Sequence, residues 1–101
     1  MYEIFIETHF SAAHCLRGYD GDCAKLHGHN WIIEVHVLCK ELNSIGIGID
    51  FKDIKKLVKN ILSKLDHSNL NELPEFTDVN PSSENISVYV YKQLETSALA
   101  T

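Results

Sequence analysis

NWIIEVHVLCK, residues 30–40, places Trp31, Ile33, Val35 and Val37 on alternate positions. A period of two marks a half-buried strand, because successive side chains point to opposite faces of a sheet. YEIFIETHF, residues 2–10, repeats the pattern, with Tyr2, Ile4, Ile6, Thr8 and Phe10 set against Glu3, Phe5, Glu7 and His9. Between these runs, residues 15–26 carry Gly18, Gly21 and two aspartates without any period, which reads as a loop. Two half-buried strands joined in this way predict an antiparallel sheet.

Downstream the period changes. ELNSIGIGID (41–50) predicts a turn and a short strand ending at Asp50. Phe51, Ile54, Leu57, Val58, Ile61, Leu62 and Leu65 then follow the spacing of one face of an amphipathic helix. Asp50 suits its N-cap, and Asp53 lies in the first turn, where the helix dipole favours an anion. DHSNLNELPEFTDVNPSS holds both prolines and predicts mostly loop. SENISVYVYKQLETSALA admits two readings. Ile86, Val88 and Val90 alternate as in a strand, yet Ile86, Tyr89, Val90 and Leu94 share a helical face. Its length favours helix. Strands first and helices afterwards define an α+β domain with the helices on one face of the sheet.

Composition narrows the function classes. With 101 residues and 45% hydrophobic content, the chain has the makings of one globular domain. A formal net charge of −5 and a single arginine, Arg17, are a poor footprint for nucleic acid. No apolar run approaches the roughly 20 residues of a membrane span, and Met1 leads directly into a strand pattern, so neither a membrane segment nor a signal peptide is expected. Three cysteines, an odd number, argue against a disulfide framework and for the reducing cytoplasm.

CAKLHGHN (23–30) carries the densest chemistry. A strand beginning near His27 points His27 and His29 to the same side, a good arrangement for two neutral imidazole ligands of zinc. His14 follows the first strand, and a neighbouring position in the sheet lets it complete a three-histidine set. Three protein ligands leave one zinc position open, the pattern of a catalytic site. A thiol such as Cys23, close to a cation, is favoured as thiolate and can act as base or nucleophile. Asp66 and His67 supply a carboxylate and an imidazole able to relay its proton. Each signal alone has a plain structural reading as well: an incidental HxH, a cysteine as a small core residue, a helix C-terminus at Asp66-His67.

FSAAH, CAKLHGHN, IDF, LDHSNLN and NPSSENI occur together in this order. From Tyr2 to about Leu94 the chain resembles the 6-pyruvoyl-tetrahydropterin synthase / 6-carboxy-tetrahydropterin synthase family. The resemblance implies the tunnelling fold, an antiparallel sheet with two helices packed on one face. Its subunits would form a barrel as a homo-oligomer, trimer or hexamer, with active sites at the subunit interfaces. It implies zinc ligands at His14, His27 and His29, and a catalytic Cys23 assisted by Asp66 and His67. The spacing Cys-x-x-x-His-Gly-His resembles the carboxy branch of the 7-deazapurine (queuosine) pathway; the pyruvoyl branch carries a longer insertion there. A further variant with glutamate at the cysteine position is excluded by Cys23.

The implied activity is that of a zinc-dependent lyase. It would convert 7,8-dihydroneopterin triphosphate to 6-carboxy-tetrahydropterin, acetaldehyde and triphosphate. Alternatives are a 6-pyruvoyl-tetrahydropterin synthase and a non-catalytic, zinc-holding, pterin-binding module. Lys25, beside the cysteine, is the candidate for triphosphate attraction. The family continues past its second helix with further strands and an acidic residue, followed by threonine, that grips the pterin. Glu95-Thr96 offers that dipeptide directly after the helix, where it reads as the helix's own end. The expectation is one tunnelling-fold domain over residues 1–101, lacking those closing strands, with Ser82 and Ser83 carrying pterin recognition.

Overall fold

The computed structural model describes residues 1–97. Two long strands, β1 (Tyr2–His14) and β2 (His27–Cys39), pair antiparallel along their whole length. The register sets Phe10 opposite Trp31, Ile6 opposite Val35 and His14 opposite His27. Both strands run further toward the loop than the alternating runs 2–10 and 30–40, with Ala12 and His14 in β1 and His27 and His29 in β2 keeping the parity of Phe10 and Trp31. The inner face buries Ile6, Phe10, Ala12, Trp31 and Val35, with Phe10 and Trp31 stacked at 5.0 Å between ring centroids.

Two helices cover that face. α1 (Phe51–Leu62) starts at Asp50, whose carboxylate accepts from the Lys52 amide at 2.9 Å, and it buries Ile54, Val58 and Leu62. α2 (Ser83–Glu95) starts at Ser82, whose hydroxyl accepts from the Asn85 amide, and it buries Ile86 and Val90. The ambiguous last third is therefore helix as far as Glu95, and Glu95-Thr96 is indeed that helix's end. Residues 98–101 of that stretch lie outside the described residues. Each fully buried aliphatic side chain contributes about 1.5–3 kcal/mol relative to exposure. Leu65, Leu70 and Phe76 from the connecting segment close the same core.

Two expectations need correction. The short strand before Asp50 does not form. The Asn43 side chain accepts from the amides of Ile45 and Ile47, the donors a ladder would need, and Gly46 turns the chain at φ 83°. α1 also ends at Leu62, short of Leu65. His67 adopts φ 57°, which lets the chain double back so that its amide donates to the Ser11 carbonyl.

That reversal lays residues 66–80 along the outer edge of β1. Ser11 and Ala13 bond to Asp66, His67 and Ser68, and Cys15 and Arg17 to the side chains of Asn71 and Asn80. Among the described residues, the outer edge of β2 has no strand partner. The ribbon gives the molecule extents of 53 × 20 × 20 Å. Its radius of gyration is 15.7 Å, against about 13 Å for a compact chain of this length.

Candidate functional site

Strand parity and register together build the centre. His14, His27 and His29 all lie on the inward parity at the loop end of the ribbon. His14 faces His27 directly, while His29 faces Ala12, a residue small enough to leave space for its ring. One ligand atom of each histidine lies within 4.8 Å of those of the other two. Ring centroids stand 4.6 Å apart for His14 and His27, and 5.7 Å for His14 and His29. Trp31 forms the floor, 4.8 Å from His14 and 4.6 Å from His29, and its indole N–H donates to the Ser83 hydroxyl at 3.2 Å.

The hydrogen bonds behind the rings fit a metal. His14 Nδ1 lies 2.7 Å from the Pro81 carbonyl, and His27 Nδ1 lies 2.8 Å from the Lys25 carbonyl. A carbonyl oxygen only accepts, so each Nδ1 carries a proton, and a neutral ring so placed keeps a free lone pair on Nε2. Backbone carbonyls behind metal-binding imidazoles orient the ring in this way. Burial holds His14 below the usual histidine pKa, against the opposing Pro81 hydrogen bond; the proximity of His27 and His29 lowers it further. A neutral imidazole is the form that ligates.

Cys23 is exposed in a single 3-10 turn, Asp22–Ala24, and its sulfur does not join the histidine cluster. The turn is tied back by the Leu16 amide, which donates to the Cys23 carbonyl at 2.8 Å. Lys25 is exposed and contributes its carbonyl to the centre. Ser82 and Ser83, expected on the pterin, have their hydroxyls engaged in capping α2 and in holding Trp31.

Asp66 and His67 form a pair of their own. Asp66 Oδ2 stands 3.0 Å from His67 Nδ1, leaving the imidazole's other nitrogen outward on a side chain 84% exposed. Asp66 Oδ1 accepts from the Ser11 amide at 2.9 Å. That backbone bond, reinforced by His67, holds the Asp66 carboxyl below the usual aspartate range, with desolvation opposing. A depressed folded-state pKa adds stability that is full above the unfolded value, about 3.9, and vanishes as pH falls through the lowered value. Urea unfolding should therefore show Asp66→Asn less stable than its parent at neutral pH, with the gap closing on acidification. A gap independent of pH would show that the charge has no part in it. His67 and His29 border one open depression, with Ser11, Gly28 and Asn30 between them.

Sequence reasoning missed the supporting partners: Trp31 as floor, the Pro81 carbonyl behind His14, and the asparagines at 71 and 80. The available signals were the runs LDHSNLN, which ends at Asn71, and NPSSEN, where asparagines flank a helix start.

A two-stranded antiparallel ribbon under two helices, with three convergent histidines at its loop end, defines a small α+β protein built around a candidate metal centre. The chain belongs to the 6-pyruvoyl tetrahydropterin synthase family, whose profile matches residues 3–100. It is 41% identical over 91 residues to an Archaeoglobus fulgidus protein provisionally named 6-carboxy-5,6,7,8-tetrahydropterin synthase, covering 90% of this chain and 74% of that one. It is 34% identical over 76 residues to the 6-pyruvoyl tetrahydrobiopterin synthase of Dictyostelium discoideum, covering 73% of this chain and 56% of that one. The structure is similar to that of Caenorhabditis elegans 6-pyruvoyl tetrahydropterin synthase, with a TM-score of 0.71 and 27% identity over 95% of this chain and 79% of the other.

Proposed function

We propose that this chain is a zinc-dependent 6-carboxy-5,6,7,8-tetrahydropterin synthase acting on 7,8-dihydroneopterin triphosphate. The convergence of three imidazoles, two of them held with Nε2 free, carries the metal part of this reading. The archaeal relative and the short Cys23-to-His27 spacing favour the carboxy branch. Overall, substrate and water give 6-carboxy-tetrahydropterin, acetaldehyde and triphosphate, the second carboxylate oxygen coming from water.

His14, His27 and His29 would hold the zinc, which when bound supplies Lewis-acid polarisation of the substrate's side-chain oxygens. Cys23 removes a side-chain proton. His67, oriented by Asp66 through its Nδ1, returns a proton through its outward nitrogen. The exposed Lys25 ammonium attracts the triphosphate. Ser82 and Ser83 each accept one hydrogen bond within the fold, and their O–H donors, with the adjoining backbone, serve pterin recognition.

Cys23 stands apart from the histidines, and among the described residues the outer edge of β2 has no strand partner, which together favour an active site completed by assembly. A two-stranded sheet is marginal alone, and an open edge invites pairing. A homo-oligomer, trimer or hexamer closing into a barrel, is part of the proposal, as is a cytoplasmic setting for the free Cys15, Cys23 and Cys39. Among the described residues, no helix is long and apolar enough to cross a membrane.

Product analysis after incubation with 7,8-dihydroneopterin triphosphate tests the reaction. Acetaldehyde released in step with triphosphate supports the carboxy reading. Triphosphate release with the side-chain carbons retained supports a 6-pyruvoyl synthase, the reading favoured by the Dictyostelium and Caenorhabditis likenesses. An assembled, zinc-loaded protein that leaves the substrate untouched would be a binding module.

A further inference from the structure

NPSSEN, residues 80–85, does more than begin a helix. We propose that Asn80 and Asn85 are positioning residues of the histidine centre. They fix the Pro81 carbonyl that holds His14 in its ligating tautomer, and they tie that carbonyl to the segment bearing Cys23. The second half rests on the function proposed above; the first rests only on the geometry of the centre.

The Asn80 side chain grips Arg17 from both sides. Its Oδ1 accepts from the Arg17 amide at 2.9 Å and from Nε at 3.2 Å, while its Nδ2 donates to the Arg17 carbonyl at 2.9 Å. The Arg17 guanidinium donates in turn to the carbonyls of Phe76 and Val79, closing the bracket around the same loop. The Asn80 carbonyl accepts from Asn85 Nδ2 at 2.9 Å. The next carbonyl along the chain, that of Pro81, is the one 2.7 Å from His14 Nδ1.

Proline makes this arrangement stiff. Its ring locks φ near −65°, and Pro81 is fully buried. With the Asn80 peptide anchored by Asn85, one torsion, ψ of Pro81, remains between the anchor and the carbonyl on His14. The start of α2 fixes that torsion from the other side: the Ser82 hydroxyl accepts from the Asn85 amide, and the Ser82 carbonyl accepts from the Ile86 amide at 2.8 Å. Leu16, the neighbour of Arg17, donates its amide to the Cys23 carbonyl. The bracket thus spans from the candidate ligand to the turn carrying the candidate thiol.

A residue that only stabilised the fold would leave the imidazole tautomer and the metal affinity unchanged in molecules that remain folded. Nitrogen NMR on the metal-free whole chain should show His14 protonated on Nδ1. A proton on Nε2 would overturn the proposal without any variant being made. Zinc titration against a competing chelator should show Asn80→Ala and Asn85→Ala about tenfold weaker or more, the lower end of the range for partners behind metal ligands. Asn85→Gln, which keeps a carboxamide donor, should recover part of that loss, and Asn85→Asp should not. Affinity within about twofold of the parent in a folded Asn85→Ala chain would overturn the proposal. None of these readouts uses product formation, so they stand whichever reaction the chain performs.

Discussion

Zinc content should fall to background in His14→Ala, His27→Ala and His29→Ala, while the parent carries one zinc per chain. His14 is the central member, with its ring 4.6 Å from His27 and 5.7 Å from His29, and it is only 7% exposed. Two remaining imidazoles cannot close a zinc site, so most of the affinity goes with any one ring. The three variants should differ in stability. Removing His14 leaves the buried Pro81 carbonyl without its donor, at a cost of about 1–3 kcal/mol. His29 is exposed, so its loss should leave the fold nearly intact. Elemental analysis of folded His27→Ala and His29→Ala decides the matter, and normal zinc in both would end the metal reading.

Cys23→Ala should keep its zinc and its fold yet lose turnover by about 10²–10⁴-fold, the range of a general acid–base group. The thiol sits on an exposed turn outside the histidine cluster, so its removal opens no cavity and takes no ligand away. Asp66→Asn and His67→Ala should slow the reaction to a similar order. Combined with Cys23→Ala they should not add, because the groups serve one proton path. The comparison belongs in an assembled protein that turns over. Loss of zinc together with activity in Cys23→Ala would make the cysteine a fourth ligand, and the centre would then be closed and structural.

Much of this was legible in the chain. The two-residue period of the strands, the helical stripe from Ile54 to Leu62 and the Asp50 cap are local properties that neighbouring residues decide among themselves. The IGIG alternation shows where such reading fails. Ile45 and Ile47 have strand spacing, but Asn43 takes their amides first, and Ile45 stays exposed. A period signals burial only when a second segment arrives to bury it.

By itself the sequence determined that His27 and His29 share a face, since parity within one strand requires no partner. It also carried the ordered motifs that mark the family. Only the tertiary structure decided that His14 joins them. That depends on the pairing register, which the Phe10–Trp31 stack and the inward parity hold across the ribbon. Only it decided how the His14 ring is oriented, because the Pro81 carbonyl at its Nδ1 lies 67 positions away in the chain. Hydrogen bonds of that reach leave no period in the chain, and they exist only once the core has drawn the two helices onto the sheet.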